Sequence, residues 1–187
     1  YTQRLAELAK GRTGPFVMDY RMNAGHIPRD HWVHGPEGGG RNLGEACHIY
    51  DLFTFLADAE VTGVSAHAIA PRSHHDGRNE NFVATMGFAD GSVASLTYTA
   101  LGARAFPKES AELFVDGKVA VLEDYRRLRV FGAPGRALRT PVQDKGLKDE
   151  LVAFADGVNG KIWPSPWWQQ LQAARIALAV EAQIAPA

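Results

Sequence analysis

Phe82-Val83-Ala84-Thr85-Met86-Gly87-Phe88, then Asp90-Gly91, then Ser92-Val93-Ala94-Ser95-Leu96-Thr97-Tyr98-Thr99: this stretch decides the fold. Both arms are rich in β-branched and aromatic residues, and Asp-Gly supplies the positive φ a tight reversal needs. It predicts an antiparallel hairpin. Glu112–Val115, Asp116-Gly117 and Val119–Leu122 repeat the pattern, and Leu128–Phe131 adds a short strand. Upstream, Phe16, Met18, Tyr20 and Met22 alternate with Val17, Asp19, Arg21 and Asn23, which is a strand with its polar residues mostly on one face. Val61–Ala70 is strand-like through its small apolar residues.

Between and around these strands the period changes to that of a helix. Thr2–Ala9 carries Leu5 and Leu8, with Thr2 as a cap, and Gly11 and Gly14-Pro15 stop it. Gly39 or Gly40 to Ala57 is a second helix, and Leu147–Val158, with Leu147, Leu151, Phe154 and Val158 in phase, a third. Ser165 at the cap and Pro166 in the first turn open the last, which runs through Trp167 to about Ile184. Packing of Trp163, Trp167 and Trp168 against the sheet is the favoured reading there. Gly132–Gly146 is a polar connector. The expected fold is α+β: an open, mostly antiparallel sheet of about six strands, with helices covering one face. The 187 residues, 45% hydrophobic, fit one domain.

Charge is balanced, with 20 basic and 21 acidic residues. That balance gives no broad field for nucleic acid or an anionic membrane, and no apolar run is long enough to cross a bilayer. Cys47 is the lone cysteine, so no internal disulfide can form and a reducing, cytoplasmic setting is expected. The chain starts at Tyr1 in helix-like sequence, and a preceding segment is expected.

The chemistry concentrates in Gly38-Gly39-Gly40-Arg41-Asn42-Leu43-Gly44-Glu45-Ala46-Cys47-His48-Ile49-Tyr50-Asp51. Regular helical spacing stacks Arg41, Glu45, His48 and Asp51 on one face and turns Cys47 to the apolar side, as an inert packing residue. Imidazole suits proton transfer near neutral pH, and a carboxylate beside it would fix its tautomer. The plainer readings are a solvated His48 and an Arg41–Glu45 ion pair. Asp51 fits a brace better than a reacting group. Ala24–Glu37 is a long loop rich in aromatic and polar groups, the type that often carries function. Its His26, His31 and His34, with Asp30 and Glu37, match no closed zinc spacing, so no metal is expected. His74 and His75 read as solvated. G-x-G-x-x-G, a Walker loop, H-E-x-x-H, paired C-x-x-C and G-x-S-x-G are all missing from this sequence. It carries no usual dinucleotide cradle and no serine-hydrolase elbow.

The run from Asn23-Ala24-Gly25-His26 through His31-Trp32 to Gly38-Gly39-Gly40, then His48 and Asp51-Leu52, resembles the C-terminal domain of Gfo/Idh/MocA oxidoreductases. With Gly44-Glu45, it looks most like the subgroup that has a glycine-glutamate pair ahead of the histidine. The resemblance implies a Rossmann domain before Tyr1 that binds NAD or NADP and carries a catalytic lysine. It implies that the present chain forms the substrate side of the cleft, with an open sheet face for a homo-oligomer. The family's histidine falls on His48, acting on a substrate hydroxyl. Its usual aspartate falls on Gly44, so Glu45 either replaces that acid or orients His48. Asn23, His26, His31 and Arg41 are then the candidate substrate contacts, for a sugar, polyol or related hydroxyl compound. By itself the chain should show no dehydrogenase activity. The competing expectations are a non-catalytic binding or assembly module built on the open sheet, and a metal-dependent enzyme built on the histidine loop.

Overall fold

The structure, a computed structural model, describes residues 1–71, 77–163 and 165–185. His74 and His75 lie outside the described residues. The helices are α1 (Thr2–Lys10), α2 (Cys47–Ala57), α3 (Leu147–Val158) and α4 (Trp167–Ile184). The strands are β1 (Val17–Asn23), β2 (Val61–Ala68), β3 (Asn81–Phe88), β4 (Val93–Thr99), β5 (Glu109–Val115), β6 (Lys118–Glu123), β7 (Arg127–Phe131) and β8 (Leu138–Arg139). All eight form one open sheet in the order β2-β3-β4-β1-β5-β6-β7-β8. Two antiparallel meanders, β2-β3-β4 and β5-β6-β7-β8, are joined by β1, which runs parallel to β4 and antiparallel to β5. The sheet is therefore mixed, as the α+β reading allows, and with eight strands it is wider than the expected six or so; the two-residue β8 lies inside Gly132–Gly146, the stretch expected to be a connector.

The hairpin turns follow their chemistry. At β5–β6, Asp116 and Gly117 both take positive φ, 46° and 71°, the pairing a two-residue reversal requires. At β3–β4 only Gly91 does, at 85°, and Gly91 N donates to Phe88 O at 2.9 Å; residues 89–92 separate these strands, against 116–117 at β5–β6. The β6–β7 turn uses Asp124 and Tyr125, both at φ 50°.

Alternation puts Met18, Tyr20, Leu96, Tyr98, Met86, Leu113 and Leu122 on one face, each at most 2% exposed. Leu5 and Ala9 of α1, Phe53 and Leu56 of α2, and Ile176 and Val180 of α4 close over them. Each large apolar side chain sealed this way contributes about 1.5–3 kcal/mol. The edge strand β2 is shielded by α4: Gln172 Oε1 accepts from Val61 N and Gln183 Oε1 from Ala66 N, both at 2.9 Å. Those bonds occupy backbone donors that would otherwise invite another strand.

Several local expectations are corrected. Helix α1 starts at Thr2 itself, with Tyr1 at the cap and no side-chain capping bond. Pro166, not Ser165, caps α4. The tryptophans do not pack on the sheet: Trp163, Trp167 and Trp168 are 46%, 69% and 39% exposed. The buried stripe of α4 is Gln169, Gln172, Ala173, Ile176, Ala177, Val180 and Ile184, which leaves Trp167 and Trp168 on the outer side of its first turn. No residue of α3 is buried. Among the described residues, no helix is long and apolar enough to cross a membrane.

Candidate active site

The glycine run exists because the backbone there is crowded. A Cβ on Gly38 would come within 2.4 Å of the Val33 backbone. Gly40 has φ +80°, and a Cβ on it would meet Asn79 Oδ1 at 2.5 Å. The same oxygen accepts from Asn42 N at 2.9 Å and so caps the helical segment. The segment does not open as an α-helix. Asn42–Ala46 is a π-turn, and Cys47 N reaches back to Asn42 O before α2 proper begins. Asn42, fully buried, holds the turn in place. Its Nδ2 donates to Ala177 O at 2.9 Å and Glu181 Oε2 at 2.8 Å, and its Oδ1 accepts from Tyr50 OH at 2.8 Å. Asn79 Nδ2 donates to both oxygens of the same Glu181.

The π-turn breaks the expected row of Arg41, Glu45, His48 and Asp51, because each of its residues turns through a smaller angle than in an α-helix. Glu45 and His48 consequently enter different surroundings. Glu45 faces the sheet. Its Oε2 accepts from Tyr98 OH at 2.5 Å, from Arg41 Nε at 3.1 Å and from Arg41 Nη2 at 2.9 Å, while its Oε1 accepts from Lys108 Nζ at 2.6 Å. Burial would raise the Glu45 carboxyl, but the hydrogen bonds from Lys108 and Tyr98 and the charges of Lys108 and Arg41 hold it below the usual range. Burial and the neighbouring Glu45 push the Tyr98 hydroxyl up, so it stays a donor.

Arg41 is 3% exposed and faces inward. Besides Glu45 it donates to Tyr98 OH at 2.6 Å, to Gly25 O at 3.4 Å and to Ala24 O at 3.3 Å. It ties the end of β1 to the π-turn. Asn23 is also a brace. Its Nδ2 donates to Ala103 O at 2.8 Å and Phe106 O at 3.3 Å, and its backbone N–H donates to Lys108 O at 2.7 Å.

His48 is exposed and opens onto a groove of about 1040 Å³ between α2, α3 and α4, lined mainly by apolar side chains such as Leu43, Leu151, Phe154 and Leu178. Asp51 and Cys47 share this groove. The shielding of the groove raises the Asp51 carboxyl, partly offset by His48. Burial raises the Cys47 thiol, so it is neither a thiolate nor a nucleophile at neutral pH.

The loop histidines separate. His26 is exposed, and its carbonyl accepts from Arg104 Nη2 at 3.3 Å. His31 is exposed and caps a short 3₁₀ turn, with Nδ1 accepting from Val33 N at 3.3 Å. His34 is anchored: its Nε2 lies 3.3 Å from Ile27 O and 3.2 Å from Glu80 Oε1. Both are acceptors, so that nitrogen carries the hydrogen. Among the described residues, no three His, Cys, Asp or Glu side chains gather as a metal site. Sequence reasoning misses Lys108 and Tyr98. Lys108 follows a structureless loop, and Tyr98 reads simply as an inward strand residue.

Comparison with known proteins gives the family and the fold. The family model for the GFO/IDH/MocA C-terminal domain matches residues 3–137, and the chain belongs to that family. Among solved structures, it is similar to UDP-N-acetylglucosamine 3-dehydrogenase GnnA from Acidithiobacillus ferrooxidans, with TM-score 0.75 and 19% identity over 98% of this chain and 58% of that one. An aldose-aldose oxidoreductase from Caulobacter crescentus gives 0.74 and 16%, over 98% and 58%. The WlbA dehydrogenase from Bordetella pertussis, in complex with NADH and UDP-GlcNAcA, gives 0.68 and 16%, over 98% and 57%. The chain thus spans somewhat over half the length of these structures. No curated protein matches it in sequence.

Proposed function

We propose that this chain is the substrate-binding and oligomerisation part of an NAD(P)-dependent oxidoreductase that acts on a hydroxyl group of a sugar, polyol or related compound. The observation that carries the reading is His48: an exposed imidazole on a rigidly anchored helix start, open to a groove and beside a separately organised polar cluster. A nicotinamide dinucleotide supplies acceptance or donation of a hydride. Its phosphates need a glycine-led cradle that this sequence lacks, so the residues here are assigned to the substrate. His48 takes the hydroxyl proton on a ring nitrogen as the carbonyl forms, or returns it in the reverse direction. His26 and His31 are exposed for substrate hydroxyls. Arg41 and Asn23 fix the backbone at the end of β1. Glu45 organises a separate polar cluster on the sheet side, since its carboxylate is committed to Arg41, Tyr98 and Lys108.

The test is His48→Ala in the protein with its cofactor-binding domain present. Turnover should fall by about 10²-fold or more with cofactor affinity retained; near-normal turnover would sink the proposal. The 187-residue chain alone should show no dehydrogenase activity.

A second reading, a non-catalytic assembly module, draws on the outer face of the sheet. In register across it run Val93, Val17, Phe114, Val119 and Phe131, an apolar row over five strands. Polar rows lie beside it. The same row serves the oxidoreductase as its oligomer contact, so loss of association without loss of turnover, or the converse, separates the two.

A further inference from the structure

Glu45 is served by more positive charge than it needs. Arg41 and the Tyr98 hydroxyl converge on Oε2, and Arg41 alone neutralises the carboxylate. Lys108 then adds a second cation on Oε1. Two cations share one carboxylate, and one positive charge is left over. The nearest carboxylate in sequence, Glu109, does not compensate it, because Glu109 accepts from Lys145 Nζ and from Tyr20 OH. The two cations also differ in access. Arg41 is sealed, with its donors turned to Glu45, Tyr98 and the Ala24 and Gly25 carbonyls. The Lys108 side chain is 41% exposed, and Glu45 takes one of its three ammonium donors.

We propose that Lys108 is the substrate-facing cation of this site and binds an anionic substituent of the substrate, a carboxylate or a phosphate. This rests on the reading of the cleft as a substrate site. The placement suits that role. Lys108 O is tied to Asn23 N at 2.7 Å, so the lysine stands beside the end of β1, next to Ala24, Gly25 and His26. Glu45 Oε1 holds Nζ in one position, so little side-chain freedom remains to be lost on binding. A compact ammonium on a flexible stem suits a charged oxygen group without demanding planar, two-point geometry. Arg104, whose Nη2 donates to His26 O, adds a second positive group beside the same loop.

The experiment is a binding titration on this chain that requires no turnover. Inorganic phosphate, D-glucuronate and neutral D-glucose are added to the wild type and to Lys108→Met, and backbone amide resonances of Gly25, Glu45 and Lys108 are followed by NMR. Saturable shifts with phosphate or glucuronate, absent with glucose and weakened about tenfold or more in Lys108→Met, are the expected result. The phosphate and glucuronate arms tell the two anions apart. Equal affinity in wild type and Lys108→Met, or no saturable shift with either anion, overturns the assignment. Lys108→Gln repeats the measurement if Lys108→Met does not fold. If Lys108 only braced Glu45, replacing it would lower stability and the wild type would bind neither anion. Failure of the oxidoreductase reading would appear instead in the His48→Ala turnover and leave these shifts unchanged.

Discussion

At the scale of single residues, one carboxylate reorganises the site. Helical spacing sets Glu45 beside His48, yet it stands among Arg41, Tyr98 and Lys108. Its carboxyl lies below the usual range in the folded protein, so the unfolded chain binds a proton there more readily. The sign follows from that difference: the contribution to stability is fully present above the unfolded value near about 4.3 and fades as pH falls through the lower, folded one. Glu45→Gln should be less stable than wild type at neutral pH. The gap should narrow as pH is lowered from about 5 towards 3, measured by urea unfolding across that range. A gap that stays constant with pH would contradict the assigned ionisation. His48 is legible in the sequence because a histidine in a glycine-led helix start is a recognisable pattern. Lys108 is not, because its partner lies 63 positions away along the chain.

At the scale of elements, the deciding feature is the π-turn at Asn42–Ala46. Helical periodicity announces a helix there, with the right end at Ala57, but carries no sign of the wider turn. The reason is that the turn is held from outside. Asn79, Glu181, Tyr50 and the Ala177 carbonyl all act on Asn42 or its backbone. Asn42→Ala would strip a fully buried side chain from three partners and leave them unsatisfied. The expected loss is about 2–4 kcal/mol, read as a lower urea midpoint at unchanged slope. A loss within experimental error would mean that the π-turn stands without this network. The strand ends are legible in the same partial way. Asp116-Gly117 and Asp90-Gly91 signal their reversals, whereas Asp124-Tyr125 does not, since neither residue is a glycine although both have positive φ. The ring of Tyr125, packed edge-on against Tyr1, shows that tertiary contacts hold that turn.

For the whole molecule, the open sheet leaves a face uncovered. The row Val93, Val17, Phe114, Val119 and Phe131 crosses both meanders, and Val17 and Phe131 are each 50% exposed. We expect the chain to associate through this face, as a dimer or tetramer by light scattering. Phe114→Glu should shift it towards monomer without unfolding it, because the side chain is already 39% exposed. A wild-type monomer at high concentration would count against this interface. The face becomes visible only once the register of the strands is known, since each strand supplies one residue of the row.

By itself the sequence determined the alternation of strands, the two glycine-turned hairpins, the four helices and the family. Each is a local pattern, fixed by side-chain period, turn chemistry or a short motif. Only the tertiary structure decided that the sheet is mixed, that Glu45 and His48 part company, that Arg41 faces inward and that Lys108 pairs with Glu45. Those outcomes depend on hydrogen bonds and packing between residues tens of positions apart, which spacing along one chain does not encode.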